Sequence, residues 1–215
     1  YCPHCGGFKR EEWIENRMQE ILPTPYYHLV FTLPHELNPL ILGNRKELFK
    51  LLFDSASQTI LQHAKMPEYI GAECGVTMIL HTWGQELTFH PHVHCIVTAG
   101  GYNGENWIEA KRKSNNFLFP EKSLQKMYKA KFLDGIAKLK LKKEGLDYPK
   151  ILREIGFKKW NVYAKAPFGG PAQVVEYIGR YTHKIAITKH RIMSVSDKQI
   201  SFRYKDYADG DKQKV

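Results

Sequence analysis

Two strand-like runs separated by eight residues constrain this chain more than any other feature. Residues 75–83 (GVTMILHTW) and 92–99 (HVHCIVTA) are rich in the β-branched and aromatic side chains that suit a pleated surface. The connecting segment 84–91 is too short for the crossover that a parallel pair requires, so the two runs predict an antiparallel hairpin. A further run, 26–33 (YYHLVFTL), is closed by Pro34, and 157–165 also reads as a strand. Helical periodicity marks 9–22, 44–65, 121–142 and 172–184. Asn44 with Glu47 three residues on has the capping-box arrangement, and 192–195 with 199–204 forms a terminal hairpin. Helices do not alternate regularly with strands, and no glycine-rich phosphate loop is present. The expectation is therefore a two-layer α/β (α+β) fold, with helices packed on an antiparallel sheet rather than a doubly wound parallel one.

Charge narrows the partner. The 215 residues carry 32 Lys and Arg against 22 Asp and Glu, a formal net charge of +10. Residues 1–110 hold 7 basic and 12 acidic side chains, whereas 111–165 hold 16 basic and 5 acidic. Such a concentrated excess favours a polyanion, most simply nucleic acid. On the predicted helix 121–142, Lys126, Lys129, Lys131, Lys138 and Lys140 could hold a backbone, with Tyr128 and Phe132 interleaved to stack bases. Arg180 and Lys189 are further candidate phosphate contacts. An aromatic content of 13% excludes a disordered chain. No apolar stretch approaches the roughly 20 residues a bilayer span needs, and no signal peptide opens the sequence, so a cytoplasmic protein is expected.

The chemistry is concentrated at two places. In His92-Val93-His94 the strand period of two turns both imidazoles to one side and Val93 to the other, so the pair can converge on one cation. A third ligand is sought on the preceding strand or its hairpin end. Gln85 ranks slightly ahead of His81 because it lies nearer the start of the histidine strand. Tyr177 and Tyr181 are four apart on the predicted late helix and share a face, with Lys184 three residues further on the same stripe. Together they describe one reaction: a metal-polarised phosphodiester attacked by a tyrosine oxygen, with the bond retained as a phosphotyrosine for rejoining. A zinc hydrolase using His92, His94 and His81, or a non-catalytic nucleic-acid-binding domain, would share some of these features.

Cys2 and Cys5 form a C-x-x-C knuckle, half of a zinc site whose other ligands are expected upstream. The stretch HPHVHC resembles the histidine–hydrophobe–histidine motif of the HUH single-stranded DNA nucleases. YIGRYTHKIAI resembles the two-tyrosine motif of the insertion sequence 91 family of rolling-circle transposases, as do 22–37, 80–101, 163–187 and 202–214. The resemblance implies a Rep-like antiparallel sheet with the histidine pair central and a tyrosine helix packed on it. It implies His92 and His94 as ligands for magnesium or manganese, with Tyr181 and Tyr177 as nucleophiles. Lys184 completes a Y-x-x-K pattern with Tyr181, which favours Tyr181 for the first cleavage. Single-stranded DNA, transposon ends and target DNA are the implied partners, and a 5′-phosphotyrosine the implied intermediate. A plasmid replication initiator or relaxase would use the same chemistry. Residues 1–22 read as the remnant of the zinc-binding module (Cys2, Cys5) with a connecting helix. Residues 23–215 read as the catalytic domain, with more chain expected beyond Val215.

Overall fold

The structure, a computed structural model, describes residues 6–111, 117–165, 168–182, 187, 189–206 and 209–215. Helix α1 (Gly6–Met18) ends before Pro23, and strand β1 (Tyr26–Thr32) follows. Every residue of β1 is buried, as in a strand covered on both faces, which is why its sequence shows no polar alternation. After a single 3₁₀ turn come α2 (Asn38–Gly43) and α3 (Arg45–Lys65). Helix α3 buries Leu48, Leu52, Ala56, Ile60 and Ala64 at four-residue spacing, a continuous apolar stripe. Asn44 does precede α3, but the expected capping box does not form. Its side chain faces the opposite way: Nδ2 donates to the carbonyls of Leu40 and Lys142, each at 2.9 Å. Its Oδ1 accepts from the Lys142 amide at 2.7 Å, so a buried amide clips a distant segment to the start of the helix.

Strands β2 (Glu73–Trp83) and β3 (Phe89–Tyr102) form the expected hairpin, and a short β4 (Trp107–Glu109) folds back on the end of β3. Helix α4 (Glu121–Ala137) stops before the expected residue 142. The reason is legible in the sequence Lys138-Leu139-Lys140-Leu141-Lys142. Its two-residue alternation suits extended chain, and burial there alternates exposed and half-buried. Helix α5 (Tyr148–Phe157) was not anticipated, although Asp147 caps it by accepting from the Lys150 amide at 3.0 Å and Pro149 sits in its first turn. Strand β5 (Val162–Lys165) and helix α6 (Pro171–Thr182) follow. The chain closes with the expected hairpin β6 (Ile192–Val195) and β7 (Ile200–Phe202), then a second pair, β8 (Tyr204–Asp206) and β9 (Lys212–Lys214).

The main sheet runs β2-β3-β1-β5, with β1 antiparallel to both of its neighbours. One face carries Tyr27, Leu29, Phe31, Val93, Cys95, Val97 and Val162, all buried. Helix α4 offers Leu124, Tyr128, Phe132 and Ile136 at strict four-residue spacing. Phe31 meets Tyr128 edge-on at 5.0 Å, and Trp160 lies 5.2 Å from both Tyr128 and Phe132. Edge-to-face pairs of this kind each add about 0.5–1.5 kcal/mol beyond the area they bury. Tyr128 and Phe132 are thus core residues, and the expectation that they stack bases is corrected: neither ring has accessible surface. Helix α3 packs beside α4, closely enough that a side chain at Gly135 would run into Leu51.

Two compact units make up the chain. Residues 22–81 and 90–171 hold the sheet with α3, α4 and α5. Residues 1–21, 82–89 and 172–215 hold α1, the tip of the β2/β3 hairpin, nearly all of α6 and the small strand pairs. Among the described residues no helix is long and apolar enough to cross a membrane.

Candidate metal centre

Register fixes which side chains share the second face of the sheet. His92 lies opposite Thr32 and His94 opposite Val30, and directly opposed residues of an antiparallel ladder project to the same side. Val93, opposite Phe31, points into the core, as the period-two reading requires. On β2, the strand beside β3, His81 completes the group. One ligand nitrogen from each of His81, His92 and His94 lies within 4.8 Å of the others. The His81 ring centroid is 4.4 Å from that of His94 and 5.3 Å from that of His92.

Hydrogen bonds set the tautomers. His92 Nδ1 is 2.7 Å from the His90 carbonyl, which can only accept, so the proton sits on Nδ1 and Nε2 presents a lone pair. His92 Nε2 is 3.1 Å from His94 Nε2, and His94 Nδ1 is 2.8 Å from His28 Nε2. When His94 Nδ1–H donates to His28, the lone pairs of His92 and His94 converge. Two nitrogens at about 2.1 Å from one cation in a tetrahedral arrangement stand about 3.4 Å apart, within a few tenths of an ångström of the observed separation. Burial keeps these imidazoles in the neutral form that a metal needs. It pushes His81 and His92 down to about 4, and the neighbouring imidazoles reinforce it. His94 is pushed down to about 2 and His28 to about 3, again chiefly by burial. The donor set therefore fits a divalent cation.

His28 is the residue that the sequence reading missed. It stacks on His94 with centroids 5.0 Å apart and holds its second nitrogen, the outer-shell partner that orients a ligating histidine. The signal available was a lone polar ring in the otherwise apolar run around Leu29, but only the register puts it behind His94.

Of the two candidates for third ligand, the structure brings His81 to the pair. Gln85 is exposed in the hairpin turn, where its backbone carbonyl accepts from Arg191 at 2.5 Å. Tyr177 and Tyr181 both lie on α6, four residues apart as expected, and Tyr177 is half-buried. Lys184, Cys2 and Cys5 lie outside the described residues, as do the side chains of Tyr181, Arg180 and Lys189. The lysines of the basic segment ride on or just after α4, which covers the face turned away from the histidines. Lys129 donates to the carbonyls of Gly156 and Lys158, securing the end of α5, and Lys138 pairs with Asp134 at 2.6 Å. Lys126 and Lys140 are exposed and Lys131 is half-buried.

Comparison with known proteins follows the same lines. Residues 75–215 match the family described as "Putative transposase", and residues 1–33 match a "Transposase zinc-binding domain". The curated protein "Putative transposase y4qJ" of Sinorhizobium fredii (strain NBRC 101917 / NGR234) is 38% identical over 100% of this chain and 57% of its own length. The "Transposase for insertion sequence element IS801" of Pseudomonas savastanoi pv. phaseolicola is 28% identical over 96% of this chain and 51% of its own. The chain thus spans about half the length of these curated relatives. A solved structure, the conjugative relaxase TrwC with OriT DNA in its metal-bound form, is 13% identical, with a TM-score of 0.41, over 74% of this chain and 71% of that one.

Proposed function

This chain belongs to the transposase family matched by residues 75–215, and we propose that it cleaves and rejoins single-stranded DNA through a covalent 5′-phosphotyrosine. The observation that carries the reading is the convergence of His81, His92 and His94, neutral imidazoles on one face of a sheet, two of them buried and His92 half-buried, in a chain that also bears the Tyr177/Tyr181 pair. His81, His92 and His94 would hold the cation, and His28 would fix the tautomer of His94. When bound, the cation supplies Lewis-acid polarisation of the phosphodiester. An all-nitrogen donor set suits manganese or a later transition ion better than magnesium, which prefers oxygen.

In the proposed step the Tyr181 oxygen attacks phosphorus. The bond from phosphorus to the 3′ oxygen breaks and the Tyr–O–P bond forms. The phenol gives up its proton, and the departing 3′ oxygen takes one up as a hydroxyl. Lys184 compensates the charge on the reacting phenol and phosphate. Tyr177 serves a second attack, so that one DNA end stays attached while another is cut. Transposon ends and target DNA are the proposed substrates. Arg180, Lys189 and the lysines of α4 contribute longer-range attraction for the backbone. Cys2 and Cys5 belong to the stretch that matches the zinc-binding family, and zinc there is proposed on that footing.

Incubation with Mn²⁺ and labelled single-stranded oligonucleotides from the element's termini should give a denaturant-resistant protein–DNA adduct. The adduct should be lost in the double variant Tyr177→Phe, Tyr181→Phe. Metal-indifferent DNA binding without any adduct would replace this reading with that of a simple binding domain, and turnover with free ends would replace it with a hydrolase.

A further inference from the structure

Strand β5 is the edge of the main sheet among the described strands, and its register aligns it with the histidines. Tyr163 lies opposite Val30, which lies opposite His94, so the three form one row across the sheet. Lys165 lies opposite His28 in a neighbouring row. Paired residues share a face, so Tyr163 and Lys165 project on the histidine side while Val162 is buried in the core. Two strand spacings place Tyr163 about 10 Å from His94. Val30 and His94 are each 9% exposed, whereas Tyr163 at the end of their row is 55% exposed.

Helix α4 also holds part of this edge. The Ala164 amide donates to Glu121 Oε1 at 2.9 Å, and Gln125 Nε2 donates to the Val162 carbonyl at 3.4 Å. Side chains of α4 thus take up one outward amide and one outward carbonyl of β5, and what the strand offers to solvent is an exposed phenol ring and an ammonium. The Lys165 charge is felt at both His28 and His94, where it helps to depress their pKa values.

We propose that Tyr163 and Lys165 form a nucleotide subsite beside the histidine centre. The Tyr163 ring stacks a base close to the cleaved phosphate, and Lys165 pairs with the backbone at that nucleotide. The proposal rests on the single-stranded DNA reading above and adds to it the residues that hold the strand. An aromatic platform flanked by a cation binds single strands with little preference for sequence, because every base has a π-face. A duplex, whose bases are already stacked, gains nothing from Tyr163.

The test is fluorescence anisotropy of a labelled single-stranded oligonucleotide, and of its duplex, with the 215-residue chain in EDTA over a series of salt concentrations. Tyr163→Ala should weaken single-strand binding about 5- to 100-fold and leave duplex binding alone. Tyr163→Trp should retain affinity, with its fluorescence quenched on binding. Lys165→Gln should lower the slope of log K against log salt by about 0.7. All three variants should melt with the parent, since both side chains are exposed. A parent chain that forms the Mn²⁺-dependent adduct while Tyr163→Ala and Lys165→Gln bind within twofold of it overturns this subsite and leaves the function standing. A parent that neither binds single strands nor forms the adduct overturns both.

Discussion

The two faces of the central sheet come from the same strands and have opposite chemistry. One presents Leu29, Phe31, Val93, Cys95 and Val97 to the aromatic stripe of α4. The other presents His28, His92 and His94, with Tyr163 and Lys165 at its edge. Because successive side chains alternate, a single strand such as β3 contributes Val93 and Cys95 to the core and His92 and His94 to the imidazole cluster. The two roles should therefore separate under mutation.

The largest effect belongs to the histidine face. His94→Ala should lower Mn²⁺-dependent adduct formation by about a hundred- to a thousandfold, the scale of losing a principal electrostatic contact at a reacting centre. Urea unfolding should reveal a loss of about 1–3 kcal/mol, because His28 Nε2 loses its His94 partner while no unpaired charge is created. A variant that keeps cutting at more than a tenth of the parent rate would detach the histidines from the reaction.

Phe132→Ala should do the converse. Its ring is fully buried against Trp160, and truncation of such a residue costs about 3–5 kcal/mol through lost contacts and the cavity left behind. The midpoint of urea denaturation should fall accordingly, while the adduct formed per folded molecule at low temperature stays near that of the parent. A loss below about 1 kcal/mol would mean that α4 is not the cover of this face.

Between these extremes stands His28→Ala, which removes an outer-shell partner and should weaken metal binding about 10- to 100-fold, read by competition with a chromogenic chelator. His28→Asn, whose side-chain oxygen can accept from His94 Nδ1, should restore part of the affinity. Equal affinity in all three proteins would leave His28 as packing alone.

What the sequence made legible follows from periodicity. The hairpin, the facing of His92 and His94 and the helical periodicity of α3 were all set by local spacing, and all appear as expected. What escaped depends on register between segments far apart in the chain. His28 reaches His94 across 66 residues, and Asn44 reaches Lys142 across 98. No local pattern reports such pairings. The basic run of α4 misled for a related reason, because Tyr128 and Phe132 lie among lysines in sequence but on the inward stripe of the helix in space.

The smallest effect tests a histidine on the covered side of the sheet. His63 lies wholly buried on α3, with Nδ1 donating to the Thr59 carbonyl and Nε2 accepting from Ser123 of α4, both at 2.8 Å. Burial holds it below the ordinary histidine range, against smaller opposing contributions from the Thr59 carbonyl and Glu68. Below about pH 6.5 the unfolded chain takes up a proton that the folded chain refuses, so the stability due to this group is complete above that pH and declines as pH falls beneath it. The decline is at most about 1.4 kcal/mol per pH unit for one group. The imidazoles of the histidine face have the same sign, so the informative quantity is a difference. His63→Gln should be less stable than the parent at pH 7.5, and the gap should narrow toward pH 5, as measured by urea midpoints at both pH values. A gap that stays constant would show that His63 is protonated alike in both states, and would leave the acid sensitivity of this chain to the face that carries His81, His92 and His94.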